Sequence, residues 1–240
     1  MKPSITIQRD HQTVPLEGAS EANLFFGGSF DPPHLGHSIL PAMVADQLEQ
    51  QMGLARGACR LVYVPTARSP HKEHPPTADQ HRIEMLKIGL KNVDRDWTIW
   101  TQELCDAPLN ADQPSYWVDT WGIANALLPN STNRFLIGAD QALSMHRWHR
   151  YREFWKDAVV MMRNGFGDVD GLSEALDGSG VWSAEDLEHW RSCCVEIKTL
   201  PWSSSAIRQQ LSEMSHHKNT RIEGLDPGVQ SYILEHVLYR

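Results

Sequence analysis

Apolar residues along the chain fall into short blocks separated by longer amphipathic stretches. Asn23–Phe26, Arg60–Pro65, Trp97–Trp100, Arg134–Ile137, Ala158–Met162 and Val195–Ile197 are brief apolar runs bounded by Gly, Pro or polar residues. Such runs predict buried parallel strands. Between them apolar residues recur at helical spacing. Leu35, Ile39, Leu40, Met43, Val44 and Leu48 predict a helix to about Met52, closed by Gly53. Ile83, Leu86 and Leu90 mark a second helix, and Thr77 with Gln80 reads as its capping box. Ser115 is the expected N-cap of a helix running through Trp121, Ala124 and Leu128. A short helix begins at Ser183 and another follows Ser203, while Val229, Ile233 and Val237 line a last one, capped by Asp226 and opened by Pro227. Strand alternating with helix predicts an open parallel α/β sheet.

Three stretches break the alternation. Residues 1–21 are polar with scattered apolar positions and read as an extension without an assigned role, which sets the expected domain at residues 22–240. Thr101–Leu104 reads as a continuation of the third strand toward a polar loop. Gly165–Gly180 carries five glycines and several acids and reads as a mobile connection.

Composition narrows the partners. The 240 residues are 41% hydrophobic and 22% charged, enough for one α/β domain with a full core. A formal net charge of −8 argues against a general nucleic-acid binder, which needs a basic face. It leaves room for a small anionic substrate held by a few local cations. Cys59, Cys105, Cys193 and Cys194 have no metal-ligand spacing and fit reduced thiols. No apolar stretch is long enough for a signal peptide or a membrane span, so the expectation is a cytoplasmic protein without a membrane partner. Oligomeric state is not legible.

The chemistry concentrates in Gly27-Gly28-Ser29-Phe30-Asp31-Pro32-Pro33-His34-Leu35-Gly36-His37, between the first strand and the first helix. Open α/β sheets place their ligands at such turns. Gly27 and Gly28 allow a sharp turn and close approach. The helix N-terminus favours an anion. His34 and His37 are spaced to share a helix face, and Gly36 keeps the turn thin. Imidazoles and amides aimed at one point suit developing negative charge.

This stretch resembles the G-x-F-D-P-x-H-x-G-H signature of the nucleotidyltransferase superfamily, adenylyltransferases in particular. A second stretch, Trp202-Ser203-Ser204-Ser205-Ala206-Ile207-Arg208, resembles the superfamily's I-S-S-T-x-I-R. Trp202 stands in place of Ile and Ser205 in place of Thr. From about Leu24 onward the chain is most similar to the nicotinate-nucleotide adenylyltransferase family. That resemblance implies a Rossmann-like doubly wound, mainly parallel sheet with helices on both faces and a small helical C-terminal part.

The resemblance also implies a site. His34, His37 and Arg208 would be catalytic, gripping the ATP phosphates. Gly28, Ser29, Phe30, Gly36, Gly138, Asp140, Ser204 and Ser205 would complete the ATP site. Ser29, Lys72, Thr98 and Trp148 would hold the acceptor nucleotide: Lys72 its phosphate, Thr98 the pyridine carboxylate, Trp148 the ring. For Thr98 a plain strand residue, for Asp140 a helix cap and for Lys72 a solvated loop residue are the alternatives. Arg82, in a segment similar to the family's R-x-x-M-L, is either catalytic or a helix-to-sheet tie. His149 stands where many members carry Tyr.

The implied reaction is ATP plus nicotinate mononucleotide going to nicotinate adenine dinucleotide and pyrophosphate. Mg²⁺ would accompany ATP, with no dedicated metal ligands from the protein. Nicotinamide mononucleotide or phosphopantetheine as acceptor, and an inactive nucleotide-binding regulator, are the alternatives.

Overall fold

In the computed structural model the described residues are 7–9, 12–14, 20–67, 76–106, 116–162, 168–198, 200–213 and 220–240. The strands are β1 (Ile7–Arg9), β2 (Gln12–Val14), β3 (Ala22–Gly28), β4 (Cys59–Pro65), β5 (Trp97–Trp100), β6 (Thr132–Gly138), β7 (Ala158–Met162) and β8 (Cys194–Glu196). The helices are α1 (Leu35–Met52), α2 (Asp79–Leu90), α3 (Gln102–Asp106), α4 (Trp117–Leu127), α5 (Ala139–Ser144), α6 (Val169–Asp177), α7 (Ala184–Ser192), α8 (Ser204–Glu213) and α9 (Pro227–Glu235).

Among the described residues the strands join in the order β2-β1-β5-β4-β3-β6-β7-β8. From β5 to β8 every pairing is parallel. The parallel part starts mid-sheet at β3, winds outward through β4 to β5, then returns to β6 and winds the other way. This is the doubly wound order of nucleotide-binding sheets.

Strand side chains alternate between two cores, as period-two geometry requires. Leu24, Leu61, Tyr63, Ile99 and Leu136 face α1 and the Leu86–Leu90 end of α2. Phe25, Val62, Val64, Trp100 and Phe135 face α4, α5 and a tryptophan group of Trp155, Trp182 and Trp190. A third cluster joins Met85 of α2 to Ile207 and Leu211 of α8 and to Val229 and Ile233 of α9. It seats the small helical C-terminal part against the signature side of the sheet.

The opening segment supplies the hairpin β1–β2, and β1 pairs antiparallel with β5. Three local expectations are corrected. Thr77 does not cap α2: the N-cap is Ala78, without a side-chain cap bond. Thr101–Leu104 turns into α3 rather than extending β5. Within Gly165–Gly180, α6 forms on the Val169, Leu172, Leu176 stripe, capped by the Asp168 carboxylate on the Gly171 N–H. The glycines hid a helix whose inner face is apolar at the right spacing. The expected cap Ser115 lies outside the described residues.

Candidate active site

The sheet opens at one place. β3 and β6 pair only as far as Phe26 and Leu136. Beyond that point Gly27 and Gly28 stay with β4, while Ile137 and Gly138 stay with β7. β3 continues toward α1 on one face and β6 into α5 on the other. The strand ends therefore part over a crevice at the topological switch point, where doubly wound sheets bind ligands.

The first signature lines the β3 side. His34 is the N-cap of α1, and its Nδ1 accepts from the Gly36 N–H (3.1 Å). His37 Nδ1 accepts in turn from the His34 N–H (3.1 Å). The two rings stack with centroids 3.8 Å apart. A ring nitrogen that accepts carries no proton, so both neutral imidazoles are assigned the tautomer with hydrogen on Nε2. The pair is thus built as two donors. Their common facing comes from this reciprocal cap, not from both sitting inside the helix.

A Cβ on Gly36 would stand 2.8 and 2.9 Å from the His34 ring, so the glycine admits the capping imidazole. The helix amides are also committed: Leu35 N–H donates to Gly224 O (2.8 Å), Gly36 N–H to His34 and His37 N–H to His34 O (2.8 Å). These first amides of α1 are satisfied inside the protein.

His37 is held from below. Pro41, four residues later in α1, has no N–H for the His37 carbonyl. The fully buried Tyr63 hydroxyl of β4 fills that place, donating to His37 O at 3.0 Å. Burial pushes the Tyr63 phenol far above its ordinary range, so it stays a donor. The Phe30 ring packs edge-on to His37 at 5.2 Å and is buried. Phe30 itself sits at φ 48. With its ring in the core, Phe30 can meet a nucleotide only through its main chain.

The second signature meets the first directly. Ser204 Oγ donates to Pro32 O (2.9 Å), and Arg208 Nη1 donates to Asp31 O (2.6 Å). Arg208 Nη2 donates to Ser205 Oγ (3.2 Å). Two stretches about 170 residues apart thus form one wall. Arg82, which is 0% exposed, donates to Ser29 O (2.7 Å), to Thr77 O (3.0 Å) and to Asp79 Oδ1 (2.6 Å). It is the tie between α2 and the signature loop.

Gly138 ends β6 and caps α5, its N–H donating to Gln141 Oε1 (3.0 Å). Asp140 stands exposed in the first turn of α5 and is not the cap. Thr98 is enclosed within β5, at 2% exposure, on the Trp100 face. Trp148 is half-buried against Phe154, ring centroids 6.3 Å apart. His149 stacks on Tyr116 at 4.4 Å. Lys72 lies outside the described residues.

Trp117, read as core, packs there against Trp121 and Phe135 and lies against the end of β3: a Cβ on Gly27 would sit 3.3 Å from its ring. Sequence reasoning missed two residues here. Tyr63 was signalled only by the four-residue spacing of His37 and Pro41. Tyr239, whose hydroxyl donates to Asp31 Oδ1 at 2.6 Å, had no local signal.

Among the described residues no group of three His, Cys, Asp or Glu side chains is arranged to hold a metal ion. Among the same residues no helix is long and apolar enough to cross a membrane.

A doubly wound sheet that opens onto two histidines and an arginine defines a nucleotide-transfer fold. The chain belongs to the cytidylyltransferase-like family, whose sequence profile matches residues 25–210. Within that family its relatives point to one member. A probable nicotinate-nucleotide adenylyltransferase of Stenotrophomonas maltophilia is 30% identical over 229 residues, covering 90% of this chain and 96% of that one. A namesake from Carboxydothermus hydrogenoformans is 27% identical over 215 residues, covering 90% and 96%. The Plasmodium falciparum nicotinic acid mononucleotide adenylyltransferase, solved in complex with NaAD, shares the fold with a TM-score of 0.59 and 20% identity, over 91% of this chain and 97% of that one.

Proposed function

We propose that the chain is a nicotinate-nucleotide adenylyltransferase, forming nicotinate adenine dinucleotide in NAD biosynthesis. The observation that carries this reading is the direct junction of the two signatures, Arg208 on Asp31 and Ser204 on Pro32, beside the stacked imidazoles. A phosphate oxygen of the mononucleotide attacks the α-phosphorus of ATP. The new P–O bond forms as the bond to the β-phosphate bridging oxygen breaks, and pyrophosphate leaves with that electron pair. The nucleophile is already ionised at neutral pH, so no general base is needed. Catalysis then rests on alignment and charge stabilisation.

The chain's own groups fit those tasks. Neutral imidazoles with Nε2–H are donors for the negative charge that builds on the transferring phosphoryl group. Arg208, with two of its N–H groups on protein acceptors, keeps further donors for phosphate oxygens. Nucleotidyltransferases that use ATP generally require a divalent metal; we assign it as Mg²⁺ carried by the triphosphate. Lys72 would take the acceptor phosphate, Trp148 the pyridine ring, Thr98 the carboxylate end, and Gly138 and Asp140 the nucleoside. The site is expected to act in the cytoplasm on small molecules alone.

Turnover with ATP and either nicotinate or nicotinamide mononucleotide tests the reading. The nicotinate compound is expected to be used preferentially. His37→Ala is expected to lower kcat by about 10²-fold or more while the protein stays folded, the scale of one lost charge-stabilising donor. Near-normal turnover in that variant would remove His37 from the chemistry.

A further inference from the structure

Asp31 is almost enclosed, at 8% exposure, and its oxygens are bound in three directions. Its carbonyl accepts from Arg208 Nη1 (2.6 Å). Its Oδ2 accepts from the Thr77 N–H (3.3 Å), at the entry to α2. Its Oδ1 accepts from the Tyr239 hydroxyl (2.6 Å), across more than 200 residues of chain.

Tyr239 reaches that place by an unfavourable route. After α9, the Leu238 N–H donates to Ile233 O (3.0 Å) and the chain reverses. Val237 and Tyr239 on either side take left-handed φ values of 56 and 61. A β-branched residue rarely adopts that region. Val237 buries little to offset it, since it is 55% exposed. Strain of this kind persists only where the surroundings over-determine it, and it gathers near functional sites. Here Leu238 and Tyr239 pack on the cluster of α2, α8 and α9, and the Tyr239 hydroxyl bonds Asp31. Burial, then the facing Asp31 carboxylate, pushes the Tyr239 phenol well above its ordinary range, so it remains a donor.

We propose that Tyr239 is a positioning residue for the phosphate clamp: it fixes Asp31, and Asp31 fixes the guanidinium of Arg208. The proposal rests on the nucleotidyl-transfer reading and deepens it. The segment after α9 thereby becomes part of the active-site scaffold, although it touches no reacting atom.

The test uses Tyr239→Phe, which keeps the ring and removes the hydroxyl, alone and combined with Arg208→Ala. Two readouts are taken: affinity for inorganic tripolyphosphate by calorimetry, and dinucleotide formation with KM for ATP separated from kcat. Tyr239→Phe is expected to weaken tripolyphosphate binding by about 10-fold, the scale of one hydrogen bond to a charged group. KM for ATP is expected to rise with it. In the Arg208→Ala background the same substitution is expected to change neither. Wild-type affinity in Tyr239→Phe overturns the proposal. So does an equal loss with and without Arg208, which a merely structural strap would give, and so does a wild-type protein that does not bind tripolyphosphate. If the wild-type protein binds tripolyphosphate but forms no dinucleotide, the proposed reaction fails while the binding arm still decides the role of Tyr239.

Discussion

The support beneath His37 gives a prediction that can be worked from bonds. Tyr63→Phe removes the hydroxyl that donates to His37 O at 3.0 Å and leaves the ring in place. The His37 carbonyl then loses the donor that stands in for the N–H that Pro41 lacks. Removing one partner of such a bond costs about 1–3 kcal/mol. In a chain of this size each kcal/mol moves Tm by about 2–4 °C, so Tm should fall by about 2–12 °C. The companion change Pro41→Ala restores an N–H four residues after His37, the regular helical partner of that carbonyl. In the Pro41→Ala background Tyr63→Phe should therefore cost much less. The assay is a double-mutant cycle by thermal and urea unfolding, with a coupling of about 1–3 kcal/mol expected between the two sites. Equal losses from Tyr63→Phe in both backgrounds would refute the reasoning, since the phenol would then not be replacing the helix bond. Turnover should follow the same cycle, because the carbonyl belongs to a histidine proposed to act on the ATP phosphates.

Two further substitutions separate stability from chemistry. Gly36→Ala drives a Cβ into the His34 ring. Losing that cap costs about 1 kcal/mol, while alanine returns up to about 1 kcal/mol in a helix, so Tm should barely move. Activity should fall by about 10²-fold as the imidazole shifts, and unchanged kcat would show that His34 position is irrelevant. Glu49 contributes acid sensitivity to the fold. Burial alone would raise its carboxyl, but bonds from Arg95 and from the Cys59 and Gly57 amides outweigh it and hold the group below 4.5. A lowered native pKa stabilises above the ordinary carboxylate range and is lost as pH falls through the native value. The Tm gap between wild type and Glu49→Gln should be widest near neutrality and close below about pH 4; a gap that is flat with pH would contradict the assignment.

Most of the fold is written in local pattern. Each run from Asn23–Phe26 to Val195–Ile197 became a parallel strand because its apolar residues can be buried on both faces. The Asp226–Pro227 start and the Gly53 stop lie where cap chemistry puts them. What failed depends on tertiary context. Thr77 would have capped α2, but its carbonyl and amide serve Arg82 and Asp31 instead. The β1–β2 hairpin takes its place from the open edge of β5, which no local window shows. The signature was legible as a strand-to-helix turn. Its internal bonding was not: the first amides of α1 bond His34 and Gly224. The supports from Tyr63, Arg82 and Tyr239 join positions far apart in sequence, so spacing alone could not find them.

The central claim is attack at the α-phosphorus, and isotope position tests it most directly. ATP labelled at the α-phosphate, and separately at the γ-phosphate, is incubated with nicotinate mononucleotide and the protein. The account predicts α-label in the dinucleotide and γ-label only in pyrophosphate. Label from the γ-phosphate appearing on the mononucleotide, or as orthophosphate, would contradict it.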